Sequence, residues 1–281
     1  MKLIAAVLVV VWGAPVRQDP ELVAAKVAKL PVIDGKADDD AWKSAKELKT
    51  GIDEPLEEKP KKTISIKAVH DGDSICILLV WEDPDKNDQH APYVWKGTAY
   101  EADEEKVEDF CTIGFALEGK FDSDMKAGIE SKWDVWEWTA ARTNPSGFAI
   151  NRTHIFTKTK PAEPIKSKKM TDRNQEPIYF AHPYKEGTPC FKRVDAPEKK
   201  GADVVPQFVS QAPSGPVADV QAKGEWANGK WTVEFKRKLN TGHKDQTVFA
   251  VGKSVAFAVA TFDKCEKGDH IVTRNLILKI Q

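Results

Sequence analysis

Cysteine is scarce in this 281-residue chain, with four residues, Cys76, Cys111, Cys190 and Cys265, and no CxxC. Four scattered cysteines make no disulfide scaffold. The missing CxxC excludes covalent c-type haem attachment, Cys-rich zinc ribbons and the usual iron–sulfur signatures. Cys76 and Cys111 sit in apolar, strand-like runs, and that placement fits either a bridge or buried free thiols. A basic excess is also missing. Lys+Arg at 42 against Asp+Glu at 43 gives a formal charge of -1, which leaves nothing to displace counterions from nucleic acid or to hold an anionic membrane. GxSxG, Walker, HExxH and GxGxxG motifs do not occur, so the common hydrolase, nucleotide and metalloprotease templates fail. Methionine is nearly absent, at three residues including the first, whereas tryptophan is abundant at nine.

Only one long apolar run exists. Residues 1–14, MKLIAAVLVVVWGA, put one lysine before about a dozen apolar residues, too short to span a bilayer but suited to a secretory leader. The expectation is an exported, periplasmic protein with no membrane span in the mature chain. Trp12 fits poorly at the minus-three position of a cut after Ala14, which leaves the cleavage site open.

The remaining composition, 41% hydrophobic and 30% charged, is that of a folded chain with a substantial core. In PVIDGKADDDAW, Asp34-Gly35 predicts a turn and Asp38–Asp40 predict the cap of a short helix carrying Trp42. TISIKAV (63–69), DGD (71–73) and SICILLVW (74–81) read as a hairpin with a buried second strand. Strand patterns recur at 107–117, 133–141, 148–156, 218–226, 230–239, 254–262 and 271–280, and Asn228-Gly229 is a strong hairpin signal. Residues 158–216 hold nine of the 17 prolines and read as a long irregular insertion outside the sheet, of a length that is usually functional or partner-facing. The expected fold is all-β: an antiparallel β-sandwich with short helices, forming one domain over residues 31–281.

Candidate chemistry is sparse. The acid-rich 99–109 could hold Ca²⁺ but lacks the spacing and glycine of an EF-hand, so it reads as a solvated charged turn. Met170 lies in a polar stretch and is expected to fill a surface gap. Met125 precedes a tryptophan cluster, and its thioether would suit haem iron or simple packing. The six histidines, His70, His90, His154, His182, His243 and His270, show no metal spacing; His70 and His154 fall in strands, and His270 in the turn before the last one.

VIDGKADDDAW, SIKAVHDGDSICILLVWEDP, WDVWEWTAAR, GKWTVEFKRKL and FAVATFDKCEKGDH, in this order, resemble the haem-binding domain of the ethylbenzene dehydrogenase type, found in gamma subunits of exported molybdenum enzymes of the dimethyl sulfoxide reductase family. The resemblance implies a sandwich that holds one non-covalent haem b between its sheets and passes electrons singly between an iron–sulfur subunit and an outside acceptor, with the iron–sulfur and molybdopterin subunits of an oxidoreductase complex, or a soluble cytochrome, as partners, and without being catalytic itself. It also implies axial iron ligands from a methionine shortly before W-x-W, matched by Met125, and from a lysine in the turn before the last strand. There the sequence departs, offering His270, with Lys267 as the nearest amine. Histidine is the commonest haem ligand and is neutral near pH 7, unlike a lysine of ordinary pKa, about 10.4. The IDG opening is also similar to family-nine carbohydrate-binding sandwiches. That alternative is a cofactor-free glycan-binding module, with Trp95, Trp133 and Trp136 as stacking candidates.

Overall fold

The computed structural model describes residues 18–52, 62–264 and 271–281. Strand β1 (Glu21–Lys26) leads to the only α-helix among these residues, α1 (Asp40–Ser44). β2 (Leu48–Ile52), β3 (Lys62–His70), β4 (Ser74–Glu82), β5 (Tyr93–Trp95) and β6 (Tyr100–Ala102) follow. Next come the long strands β7 (Phe110–Gly119), β8 (Ser131–Thr139) and β9 (Ile150–Thr157), and then five short ones: β10 (Lys168–Thr171), β11 (Pro177–Ala181), β12 (Phe191–Arg193), β13 (Val204–Val205) and β14 (Phe208–Ser210). β15 (Gln221–Ala227), β16 (Lys230–Lys238), β17 (Ser254–Phe262), β18 (Ile271–Val272) and β19 (Leu276–Ile280) complete the chain.

The main sheet runs β10-β11-β9-β8-β7-β17-β19-β1-β3-β4-β16-β15, with β2 beside β3 and β18 beside β17. It folds over on itself, so that β7, β8 and β17 face β3, β4 and β16 as the two layers of a sandwich. Alternation along each strand makes this possible, because every second residue points to the same face. Ile113 and Phe115 of β7 and Trp136 and Trp138 of β8 thus meet Ile66, Leu79, Trp231 and Phe235 in one buried core. Trp138 sits edge-on to Trp231 with ring centroids 5.0 Å apart. All main-sheet pairings are antiparallel except those of β1, which lies parallel to both β3 and β19.

The expected hairpins form at 62–82 and 221–238, and β17 matches its expected span. The last expected strand is broken into β18 and β19. The proline-rich stretch differs from expectation. β10 and β11 extend the main sheet beyond β9, while β13 pairs with β5 and β12 with β14. Pro177 fits because it opens its strand, where a missing N–H is tolerated. Cys76 and Cys111 are free thiols. They occupy different apolar clusters, Cys76 beside Trp42 and Cys111 in the central core, and burial pushes the Cys76 thiol up to about 12. Cys265 and the leader lie outside the described residues.

α1 covers the outward side of β3 and β4. Trp42 packs there with Ala45, Val69, Cys76 and Leu78. Glu234 of β16 reaches the same place, accepting from the backbone N–H groups of Asp34 and Gly35 at 3.0 and 2.8 Å and from Trp42 Nε1 at 2.7 Å. The IDG turn is therefore tied to the sheet by a carboxylate about two hundred residues away. Gly35 has φ +89°, and a Cβ there would stand 2.8 Å from the backbone nitrogen of Glu225, so the turn requires glycine.

Candidate functional site

The opposite outward face, on β7, β8, β9, β11 and β17, carries a second apolar cluster. Phe121, Trp133, Val135, Phe156, Ile178 and Ala258 are buried in it, with Met125, Met170, Phe180 and Val272 packed at its margin. Strand register explains its shape. One cross-strand row is Ala258, Gly114, Val135, Arg152, and the next is Ala260, Thr112, Glu137, Ile150. Small residues thus line the middle of the face, flanked by the rings of Trp133 and Phe156, 4.6 Å apart, and Phe180, 5.1 Å from Phe156.

The same rows pass from apolar to charged. Glu137 and Arg152, with His182 and Tyr184 beyond β11, line a cleft of about 500 Å³ together with His90, Glu108, Phe110 and Arg142. Arg152 Nη2 donates to Glu137 Oε1 at 2.7 Å, and Nη1 lies 2.9 Å from His182 Nδ1. Its guanidinium stands 4.6 Å over the Tyr184 ring. Glu108 accepts from the backbone N–H groups of Ala141 and Arg142 and from Arg142 Nε. Burial, then the neighbouring guanidinium, lowers the pKa of both imidazoles: Arg142 beside His90 and Arg152 beside His182. Cleft and cluster adjoin, since His182 stacks on Phe180 at 5.2 Å and His154 lies 6.0 Å from Trp133.

Several sequence expectations change here. Met125 does lie beside the tryptophan-bearing strand, but Met170 is on β10 and packs on the same cluster rather than on a polar surface. The polar sequence around Met170, KSKKMTDRN, gives no hint of that contact; the pairing of β10 with β11 creates it. His270 and Lys267 lie outside the described residues, although Val272, two positions after His270, belongs to the cluster with Met125. Trp133 and Trp136 are buried, so neither ring face is open for sugar stacking. Trp95 is half-buried and sits edge-on to Tyr100 at 5.1 Å.

The acidic run at 99–109 ends in two buried carboxylates instead of a solvated turn. Asp109 accepts from Asn87 N, Trp231 Nε1 and Lys264 N. Asp83, Asp109 and Asp263 bring one carboxylate oxygen each within 4.8 Å of the others. With three donors already on Asp109, this trio anchors the β4 and β7 ends. Sequence reasoning gave no role to Glu137, Arg142 or Arg152 and named His182 only among six histidines without metal spacing. Alternation in WDVWEWT places Glu137 on the face of Trp133 and Val135, a signal that was available.

A sandwich with an apolar, thioether-bearing outer face and a charged cleft at its end is the class of protein defined here. A family model for ethylbenzene dehydrogenase matches residues 39–271, and the chain belongs to that family. None of the curated proteins matches it. Among solved structures, a Bacteroides uniformis protein described as carbohydrate-binding is similar at 8% identity, covering 94% of this chain and 100% of its own, with a TM-score of 0.48. A family 9 carbohydrate-binding module from Caldicellulosiruptor kristjanssonii, in complex with cellotriose, is similar at 10% identity over 93% of each chain, with a TM-score of 0.41. No helix among the described residues is long and apolar enough to cross a membrane.

Proposed function

We propose that this chain is an exported, non-catalytic electron-transfer subunit that binds one non-covalent haem b on the outward face of β7, β8 and β9. Its partners on this reading are the iron–sulfur and molybdopterin subunits of an oxidoreductase complex, or a soluble cytochrome. The observation that carries it is the meeting of Met125 and Val272 in one apolar cluster, which brings the expected methionine ligand to the strand that follows His270. The residues present suit the group: soft, neutral sulfur ligands, an aromatic wall, and guanidinium donors next to it. When bound, haem b supplies a one-electron iron couple. The chain's own part would be to exclude water with Phe121, Trp133 and Phe156 and to hold the iron with Met125 and His270, Lys267 being the fallback. A thioether ligand favours the reduced iron and raises the potential.

Haem reconstitution of the mature chain tests the proposal. A reducible, low-spin Soret spectrum is expected, lost or converted to high spin in Met125→Ala and in His270→Ala. No Soret band at any haem loading would sink the proposal, and an unaltered six-coordinate spectrum in both variants would remove the ligand assignment alone. The glycan-binding alternative predicts tryptophan quenching by oligosaccharides without haem; a flat response across a broad panel counts against it.

A further inference from the structure

We infer that the lysine-rich stretch 158–169, which ends on β10 at the open edge of the main sheet, is a docking surface for the acidic face of an electron-transfer protein; its redox part rests on the haem reading above. Five lysines, Lys158, Lys160, Lys166, Lys168 and Lys169, stand against one acid, Glu163, within these residues, although the whole chain balances 42 Lys+Arg with 43 Asp+Glu. All five are exposed. Glu130 lies near Lys158, but Lys160, Lys166, Lys168 and Lys169 have no ion-pair partner among the described residues. By contrast, Lys132 of β8 meets Glu118 at 2.8 Å and Lys279 of β19 meets Glu21 at 2.7 Å. A cluster of unpaired like charges gives this edge a local positive potential that the net charge conceals, and such a field speeds encounter with an oppositely charged partner by about 10- to 1,000-fold.

The strand itself sets what kind of partner fits. β10 pairs only with β11, so its outer edge is open, and lysines on such an edge oppose the addition of another strand. The contact is therefore one of side-chain charge. Consecutive strand residues point to opposite faces, so Lys168 and Lys169 carry the charge around the edge, a shape suited to the curved acidic patch of a protein and not to a flat lipid surface. Lys168 lies opposite Phe180 in the register and shares a face with Met170. Both Phe180 and Met170 pack on the cluster that holds Met125. A protein seated on these lysines thus approaches the face assigned to haem at its β10 margin. One electron crosses such a contact, with one centre oxidised, the other reduced and no atom transferred.

The test compares wild type with the charge-reversed variant Lys160→Glu/Lys166→Glu/Lys168→Glu/Lys169→Glu. A control, Lys29→Glu/Lys46→Glu/Lys49→Glu/Lys253→Glu, makes the same change in net charge at exposed positions spread over the chain, and circular dichroism melts establish that each is folded. Labelled decaglutamate, read by fluorescence anisotropy at low ionic strength, should bind wild type and the control alike, with affinity for the edge variant reduced about tenfold or more. Stopped-flow oxidation of the reduced, haem-loaded chain by ferricyanide, an anion, should slow as salt rises and be about tenfold slower in the edge variant than in the control. Equal decaglutamate binding by the two variants, or none by wild type, overturns the inference whether or not haem binds. Binding to phosphatidylglycerol vesicles without decaglutamate binding likewise overturns it and assigns the edge to lipid. A ferricyanide rate equal in both variants overturns the electron-transfer role. Decaglutamate binding confined to the lysine edge in a chain with no Soret band overturns the haem reading and leaves an acidic-protein docking surface.

Discussion

Trp42 donates its indole N–H to Glu234 at 2.7 Å, and both side chains are fully enclosed although 192 residues separate them. This bond, with two backbone donors from the Asp34-Gly35 turn, fastens the short helix to β16. Trp42→Phe removes one donor from a buried carboxylate and should cost about 1–3 kcal/mol. Urea denaturation should show a lower midpoint with an unchanged slope; an unchanged midpoint would mean the bond contributes nothing.

A second buried carboxylate sits inside the sandwich. Asp134 meets Arg237 Nη1 at 2.5 Å and Lys185 Nζ at 3.2 Å, with all three side chains wholly buried. Arg237 also packs on the faces of Trp136 and Phe249, 5.0 and 4.8 Å from their centroids. Asp134→Ala leaves buried Arg237 without its counterion and Lys185 with only Asp245 at 3.8 Å, and should destabilise by about 3–5 kcal/mol. The same denaturation measurement checks it, and a loss below about 1 kcal/mol would contradict the geometry.

Gly224 of β15 lies against the Trp138 indole. A Cβ at this position would stand 2.4 Å from Cζ2 of that ring, and the ring cannot swing away because its Nε1 is bonded to Asn144 at 3.0 Å. Gly224→Ala should therefore lose about 1–3 kcal/mol through overpacking, whereas Gly72→Ala, with open space around it but φ +103°, should lose only its backbone-strain cost. Thermal melts of the two variants separate the causes.

Asp83 provides a pH signature. Burial, reinforced by Asp109 and Asp263, pushes its carboxyl from an ordinary 3.8 up to about 7. Below the unfolded value both states keep the proton and nothing is lost. As pH rises through 4–7 the unfolded chain releases its proton while the folded chain retains it, so stability falls, levelling off above the folded value. Glu234, also raised to about 7 by burial, acts in the same direction. Asp83→Asn should flatten the decline between pH 4 and 7; an identical pH profile in the variant would refute the assignment.

Met125 and Met170 can be separated by leucine, which preserves volume and removes sulfur. With haem loaded, Met125→Leu should lose the low-spin spectrum and Met170→Leu should retain it, because only Met125 occupies the position expected of the ligand. The reverse pattern would move the axial role to β10.

Local pattern carried much of this fold into the sequence. The alternation of 63–69, the turn at 71–73 and the Asn228-Gly229 hairpin each specify their own partner, so β3–β4 and β15–β16 were legible. Pairings between distant segments were not. The parallel contacts of β1 depend on β3 and β19, and β10 joins the sheet only through β11, so a polar, lysine-rich stretch becomes part of the Met170 face. Charge was misleading for the same reason. Glu108 and Asp109 look solvated in an acidic run, yet Arg142 and Trp231, 34 and 122 residues away, make their burial tolerable. Met125 could be singled out from the residues before a W-x-W segment, but the cleft around Arg152 required the row of residues that strand pairing creates.

The position of β19 makes one short strand the hinge of the whole sheet. The last strand lies between β17 and β1, bonded to both, and is the seam through which one half of the main sheet reaches the other. Without residues 276–280 in place, β17 and β1 have no strand to join them, however well the hairpins of each half are formed. A proline at Leu278, which pairs with both Leu22 and Val255, would therefore part the main sheet into two halves rather than fray one edge.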